Sequence, residues 1–187
     1  MKDYSNLSQN NMKIIAFGAS GSKKSINKEF AAYAARQFSD AEIEILDLNS
    51  YKLPLFTVDL ESETGFPDDV KIFVKKLGEA DLFVISLAEH NGSYTALFKN
   101  LFDWASRLKM KMFEGKKMLL LSTSPGQRGG SGVMAAATIR FPKHGADIIA
   151  TFSLPDFREN FDSARGILNE ALDKQFKEVI ALVKSKF

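Results

Sequence analysis

Three short stretches concentrate the residues that could do chemistry. Ser20-Gly-Ser-Lys-Lys-Ser-Ile-Asn27 sets the side-chain donors Ser20, Ser22, Ser25 and Asn27 beside the charge of Lys23. An apolar run, Ile14–Phe17, breaks into this stretch, and a helix-forming segment starts near Ile26. A strand handing over to a helix through such a loop gathers free N–H groups at a helix N-terminus, where a phosphate binds. The second stretch, Ala88-Glu-His-Asn-Gly-Ser-Tyr94, combines Glu89, His90 and Ser93 with an Asn91-Gly92 turn. It can offer backbone N–H groups to the carbonyl edge of a planar ring, with His90 against the ring. The third, Ser122-Thr-Ser-Pro-Gly-Gln-Arg-Gly-Gly-Ser131, carries Ser124, Pro125, Gly126, Gly129 and Gly130. Its glycines leave the amides uncovered and let the main chain approach a ligand closely.

Each stretch alone also suits a plain structural use: Ser25 or Ser93 as a helix cap, or a flexible turn before a helix. The first lacks the Walker spacing, and Gly18-Ala-Ser-Gly-Ser-Lys23 lacks the third small residue of a dinucleotide fingerprint. A single phosphate monoester is the ligand it suits. What raises the functional reading is three such stretches meeting at one place, which requires a particular scaffold.

Helix and strand patterns alternate along the chain. Ile14–Gly18, Glu42–Leu48, Asp81–Leu87, Lys117–Thr123 and Asp147–Phe152 read as strands, the third apolar on both faces. Ile26–Phe38 reads as a helix with Phe30, Ala31, Ala34, Ala35 and Phe38 on one face. Tyr51–Phe66 reads as a loop, and Pro67 as the start of a second helix. Tyr94–Leu108, Gly130–Lys143 and Ser163–Lys186 complete the helices, the last with an inner stripe from Ile167 to Val183. Five strands alternating with five helices predict an α/β fold. It is a flavodoxin-like three-layer α/β/α sandwich on a five-stranded parallel sheet of order 2-1-3-4-5. In that order the strand order reverses between strands 1 and 3, and ligands sit beyond the carboxyl ends there. The three stretches follow strands 1, 3 and 4.

Composition bounds the partners. The 187 residues make one domain at 12–187, with polar residues 1–11 as a flexible N-terminal extension. An apolar share of 45% with 26% charge is that of a soluble globule, and no run is long enough for a membrane span. Cysteine is absent, which excludes disulfides and cysteine nucleophiles and fits the cytoplasm. With two histidines and no cysteine, no metal site is expected. His144, beside Lys143 and Gly145, reads as solvent-facing. A net charge of +2, with scattered lysines, calls for no nucleic acid. The stripe Leu97, Phe98, Leu101, Phe102, Trp104, Ala105, Leu108 is wide for one buried face, and suggests a homodimer or tetramer through helix 94–108.

On these motifs the chain resembles the NADPH-dependent FMN reductases of flavodoxin-like fold, which include quinone, azo-dye and chromate reductases. The family's Gly-Ser-x-Arg-x-x-Ser-x-Asn loop is matched by Ala19–Asn27, and its Pro-Glu-Tyr-Asn-Gly-Ser by Ala88–Ser93. Its Lys-Asn-x-x-Asp-Trp is matched by Lys99–Trp104, and its Ser-Pro-Gly-x-x-Gly-Gly by Ser124–Gly130. Ser22 replaces the family Arg, His90 the Tyr and Ala88 the Pro. The resemblance implies FMN as cofactor, NADPH or NADH as co-substrate, and a small-molecule electron acceptor. The FMN phosphate would lie in the 20–27 loop and the ring between the 89–93 and 124–130 loops. Catalysis would then be flavin-centred, with no protein nucleophile. The competing reading is a flavodoxin-like electron carrier without nicotinamide-dependent turnover.

Overall fold

The computed structural model describes residues 11–187; apart from Asn11, the expected extension lies outside the described residues. Five parallel strands form the central sheet: β1 (Lys13–Ala19), β2 (Glu42–Leu46), β3 (Leu82–Leu87), β6 (Lys116–Thr123) and β7 (Ala146–Leu154). Their order is β2-β1-β3-β6-β7, which is the predicted 2-1-3-4-5 arrangement. Two short hairpins, β4 (Glu89–His90) with β5 (Ser93–Tyr94) and β8 (Phe161–Asp162) with β9 (Gly166–Ile167), account for the other strand numbers. The helices are α1 (Ile26–Ala35), α2 (Val58–Thr64), α3 (Asp68–Gly78), α4 (Ala96–Leu108), α5 (Ser131–Arg140), α6 (Phe157–Asn160) and α7 (Glu170–Lys184).

Strand side chains alternate between two cores. Ile15, Phe17, Phe83, Ile85, Met118 and Leu120 pack under α3, α4 and α5. Ile14, Ala16, Leu82, Val84, Leu119 and Leu121 pack with Phe30, Phe152 and Phe176 on the α1 and α7 side. β1 and β3 are apolar on both faces because helices cover both.

Several expectations are corrected. Residues 51–66 are not a plain loop: Thr57 caps α2, its hydroxyl accepting from the Leu60 N–H. This segment lies over α4, where the Trp104 indole N–H donates to the Pro54 carbonyl at 2.9 Å and Phe56 meets the Trp104 ring edge-on at 5.1 Å. Phe98, Leu101, Phe102, Trp104 and Ala105 of the wide apolar stripe are therefore buried within the chain, between the sheet and this wrap, while Leu97 and Leu108 stay half-buried. The last helix starts at Glu170, capped by Asn169, rather than at Ser163, because residues 161–167 turn as a hairpin. The first helix stops at Ala35, and α5 gives way at Arg140 to a 3-10 turn, Phe141–His144, that carries Pro142. His144 faces inward: it is 4% exposed, its Nδ1 bonds the Met110 carbonyl, and its ring lies edge-on to Phe102.

Candidate functional site

The segments after β1, β3 and β6 converge on one cleft of about 250 Å³ at the carboxyl end of the sheet. Of the residues singled out, Ser20, Ser22, Ser25, Asn27, Glu89, His90, Ser124 and Pro125 line it. Lys24, Ala88 and Thr123 line it too, unanticipated from sequence. Lys23 lies instead in a neighbouring basic groove with Lys28 and Arg36, so Lys24 is the cation at the cleft.

The remaining residues stand around this lining. Asn91 and Gly92 form the tip of the β4–β5 hairpin, both with positive φ (51° and 77°), as a two-residue turn of the primed kind needs. They and Ser93 are exposed beyond the cleft wall, and Thr95 rather than Ser93 caps α4. Gly126 accepts from the Asp156 and Gly129 N–H groups, which folds the 124–130 loop on itself. Gly129 and Gly130 are buried behind it; the Gly129 carbonyl accepts from the Ser122 hydroxyl at 2.7 Å.

Three side chains stitch the loops together in pairs. The Asn27 amide donates to the Thr123 carbonyl at 3.0 Å, and its oxygen accepts from the Thr123 N–H at 3.1 Å and the Ser86 hydroxyl at 2.7 Å. This ties the start of α1 to the ends of β3 and β6. The Thr95 hydroxyl donates to the Ala19 carbonyl, linking β1 to the segment after β3. Glu89 accepts from the Val133 N–H at 2.8 Å, linking the hairpin to α5. Asn27 and Thr95 are each 2% exposed, so their bonds are dry.

The hydroxyls of Ser20 and Ser25 each accept from within, Ser20 from the Ser22 N–H and Ser25 from the Lys28 N–H. A hydroxyl that accepts inward keeps its proton for an outward acceptor. The first-turn N–H groups of Ile26 and Asn27 have no intrahelical acceptor. With Lys24, this is a donor set for one phosphate, and the exposed 90–93 and 125–128 segments flank the space beside it. The residues present therefore fit a flavin mononucleotide.

The sequence model of the NADPH-dependent FMN reductase family matches residues 12–157. The chain belongs to this family. The family is named for the NADPH-dependent reduction of FMN. It is 34% identical over 96 residues to a quinone reductase of Escherichia coli, covering 51% of each protein. It is 28% identical over 145 residues to an NADPH:quinone oxidoreductase of Arabidopsis thaliana, 74% of this chain and 71% of that one. The matched stretch thus spans about half the length of the bacterial quinone reductase. Among solved structures, the flavoenzyme NAD(P)H:(acceptor) oxidoreductase FerB of Paracoccus denitrificans shares the fold, with a TM-score of 0.73 at 22% identity over 92% of this chain and 96% of that one. Among the described residues no helix is long and apolar enough to cross a membrane, and no cluster of acids and histidines could hold a metal.

Proposed function

We propose that this family member holds FMN across the three loops and passes two electrons, in alternating half-reactions, from NAD(P)H to a quinone, an azo compound or free flavin. The observation that supports it most is the convergence of the β1, β3 and β6 loops on one cleft with a phosphate donor set at one end. When bound, the flavin supplies the hydride and electron chemistry. Ser20, Ser22, Ser25, Lys24 and the first turn of α1 bind the phosphate. N–H groups of the 89–93 and 124–130 loops would hold the carbonyl edge of the ring and favour negative charge there. His90, exposed at the rim, is placed to lie against the ring or the incoming substrate.

A spectrum of the purified protein with FMN, followed by anaerobic addition of NADH and NADPH, tests the reading. Bleaching on addition and recovery with a quinone support it. FMN that binds without NAD(P)H oxidation indicates an electron carrier instead, and FMN that does not bind contradicts both. A cysteine-free cytoplasmic enzyme, self-associated through the α4 face where Leu55 stands exposed beside Ala96 and Leu97, belongs to the same reading. A monomeric mass at micromolar concentration contradicts that pairing.

A further inference from the structure

Glu89 lines the cleft, yet its carboxylate serves another element. α5 begins after Gly130, which lies in the left-handed region at φ 80° and has no side chain with which to cap the helix. The Ser131 N–H turns back to the Arg128 carbonyl, but the Val133 N–H has no acceptor in its own turn. Glu89, 44 residues earlier, supplies one: its Oε2 accepts from the Val133 N–H at 2.8 Å. Its Oε1 lies 3.7 Å from the Arg128 guanidinium, and the Glu89 side chain is only 9% exposed. A carboxylate at the positive end of a helix has the favourable sign. The space around it is closed as well, since a Cβ added at Gly132 would come within 2.8 Å of Glu89 Oε2.

We propose that Glu89 is a positioning residue whose carboxylate clamps the first turn of α5 to the β4–β5 hairpin, and so sets the gap between the two loops that receive the flavin ring. This rests on reading the cleft as the FMN site. It turns Glu89 away from substrate contact, because Oε2 is held by the Val133 N–H and the side chain is nearly closed off from solvent.

Two substitutions break the clamp from opposite sides. Glu89→Ala removes the acceptor. Gly132→Ala keeps the acceptor and pushes it away, because the atom a Cβ would meet first is the far end of the flexible Glu89 side chain. Alanine favours a helix over glycine, so this second variant does not weaken α5 itself. Glu89→Gln keeps an oxygen for the Val133 N–H and is the conservative rescue.

The experiment pairs FMN titration with amide deuterium exchange of the FMN-free protein over residues 124–134. The expected result in Glu89→Ala is faster exchange at Val133 and an FMN Kd raised about tenfold, because binding must then re-order a first turn that the clamp no longer holds. Gly132→Ala raises the Kd in the same direction without lowering the melting temperature, and Glu89→Gln stays near the unaltered protein. Unchanged exchange in Glu89→Ala, or unchanged FMN affinity in both Glu89→Ala and Gly132→Ala while the unaltered protein binds FMN, overturns the clamp. Failure of the unaltered protein to bind FMN overturns the cofactor reading instead, and the exchange arm still decides the clamp.

Discussion

The two ends of the same sheet are held by different chemistry. At the amino-terminal end, Lys13 Nζ lies 2.7 Å from Glu79, 3.5 Å from Glu44 and 3.6 Å from Glu42, and Lys76 joins Glu44 at 3.0 Å. At the carboxyl-terminal end most ties are neutral and buried, through Asn27, Ser86, Thr95, Ser122 and Thr123, while the Glu89 carboxylate is turned to the Val133 N–H of α5. The charged end is open to water, so salt and pH reach it and its pairs hold weakly. The neutral end cannot lose a partner without orphaning a dry polar group. A cleft for a phosphate gains from this division. The bonds beside the phosphate end of the cleft, from Asn27 and Thr95, carry no charge and are buried, so salt screens them little.

The largest break in this contrast comes from Gly18→Ala, where β1 enters the cleft. A Cβ there would stand 2.2 Å from the Lys28 nitrogen and 2.6 Å from the Asn27 carbonyl carbon, backbone atoms that cannot yield. α1 must lift off β1, and urea unfolding should show a loss of about 3 kcal/mol or more, or no folded protein. Next is Asn27→Ala, which orphans the Thr123 N–H and the Ser86 hydroxyl. A loss of about 2–4 kcal/mol is expected in the same assay, together with weakened FMN binding. An Asn27→Ala protein as stable as the original would show that the neutral stitches are dispensable.

Glu79→Gln, at the charged end, should lower the melting temperature less, and the difference should shrink in high salt. Its pH dependence has a definite sign. The hydrogen bond from Lys13 holds the Glu79 carboxyl below its usual range, so its contribution is present near neutrality and fades as pH falls through the acid range. The bond to Glu79 raises Lys13 above the usual ammonium value, so that contribution fades only at strongly alkaline pH.

The smallest effect is expected of Tyr94→Phe. The Tyr94 hydroxyl is buried without a partner, and burial pushes its pKa up to about 12. Removing it should leave stability at pH 7 within about 0.5 kcal/mol. Above pH 10 the unfolded chain ionises this phenol first, so the unaltered protein should lose stability there faster than the phenylalanine variant in alkaline thermal melts.

The sheet order was legible because each strand is a distinct apolar run and each loop after β1, β3 and β6 is polar and glycine-rich. α2 was not, because none of its residues is buried and no apolar period marks it. The start of α7 was misread because Ile167 and Leu168 extend its apolar stripe, while Gly166 at φ 81° turns the chain beneath Tyr33. His144 has charged and small sequence neighbours, yet Phe102 of the tertiary core lies edge-on to its ring and the Met110 carbonyl bonds its Nδ1. At the site, residue types identified the loops but not the direction of each side chain. Nothing in the sequence distinguishes an Asn27 amide turned to a ligand from one turned to Thr123, or a Glu89 facing the cleft from one facing α5.

The most direct measurement is a deuterium-exchange footprint of FMN on the whole chain. Protection confined to residues 20–27, 88–94 and 123–130, with none around Lys13, Glu42 and Glu79, is the result predicted for a flavin held by the neutral end of the sheet. Protection at the charged end, or in only one of the three loops, would contradict it.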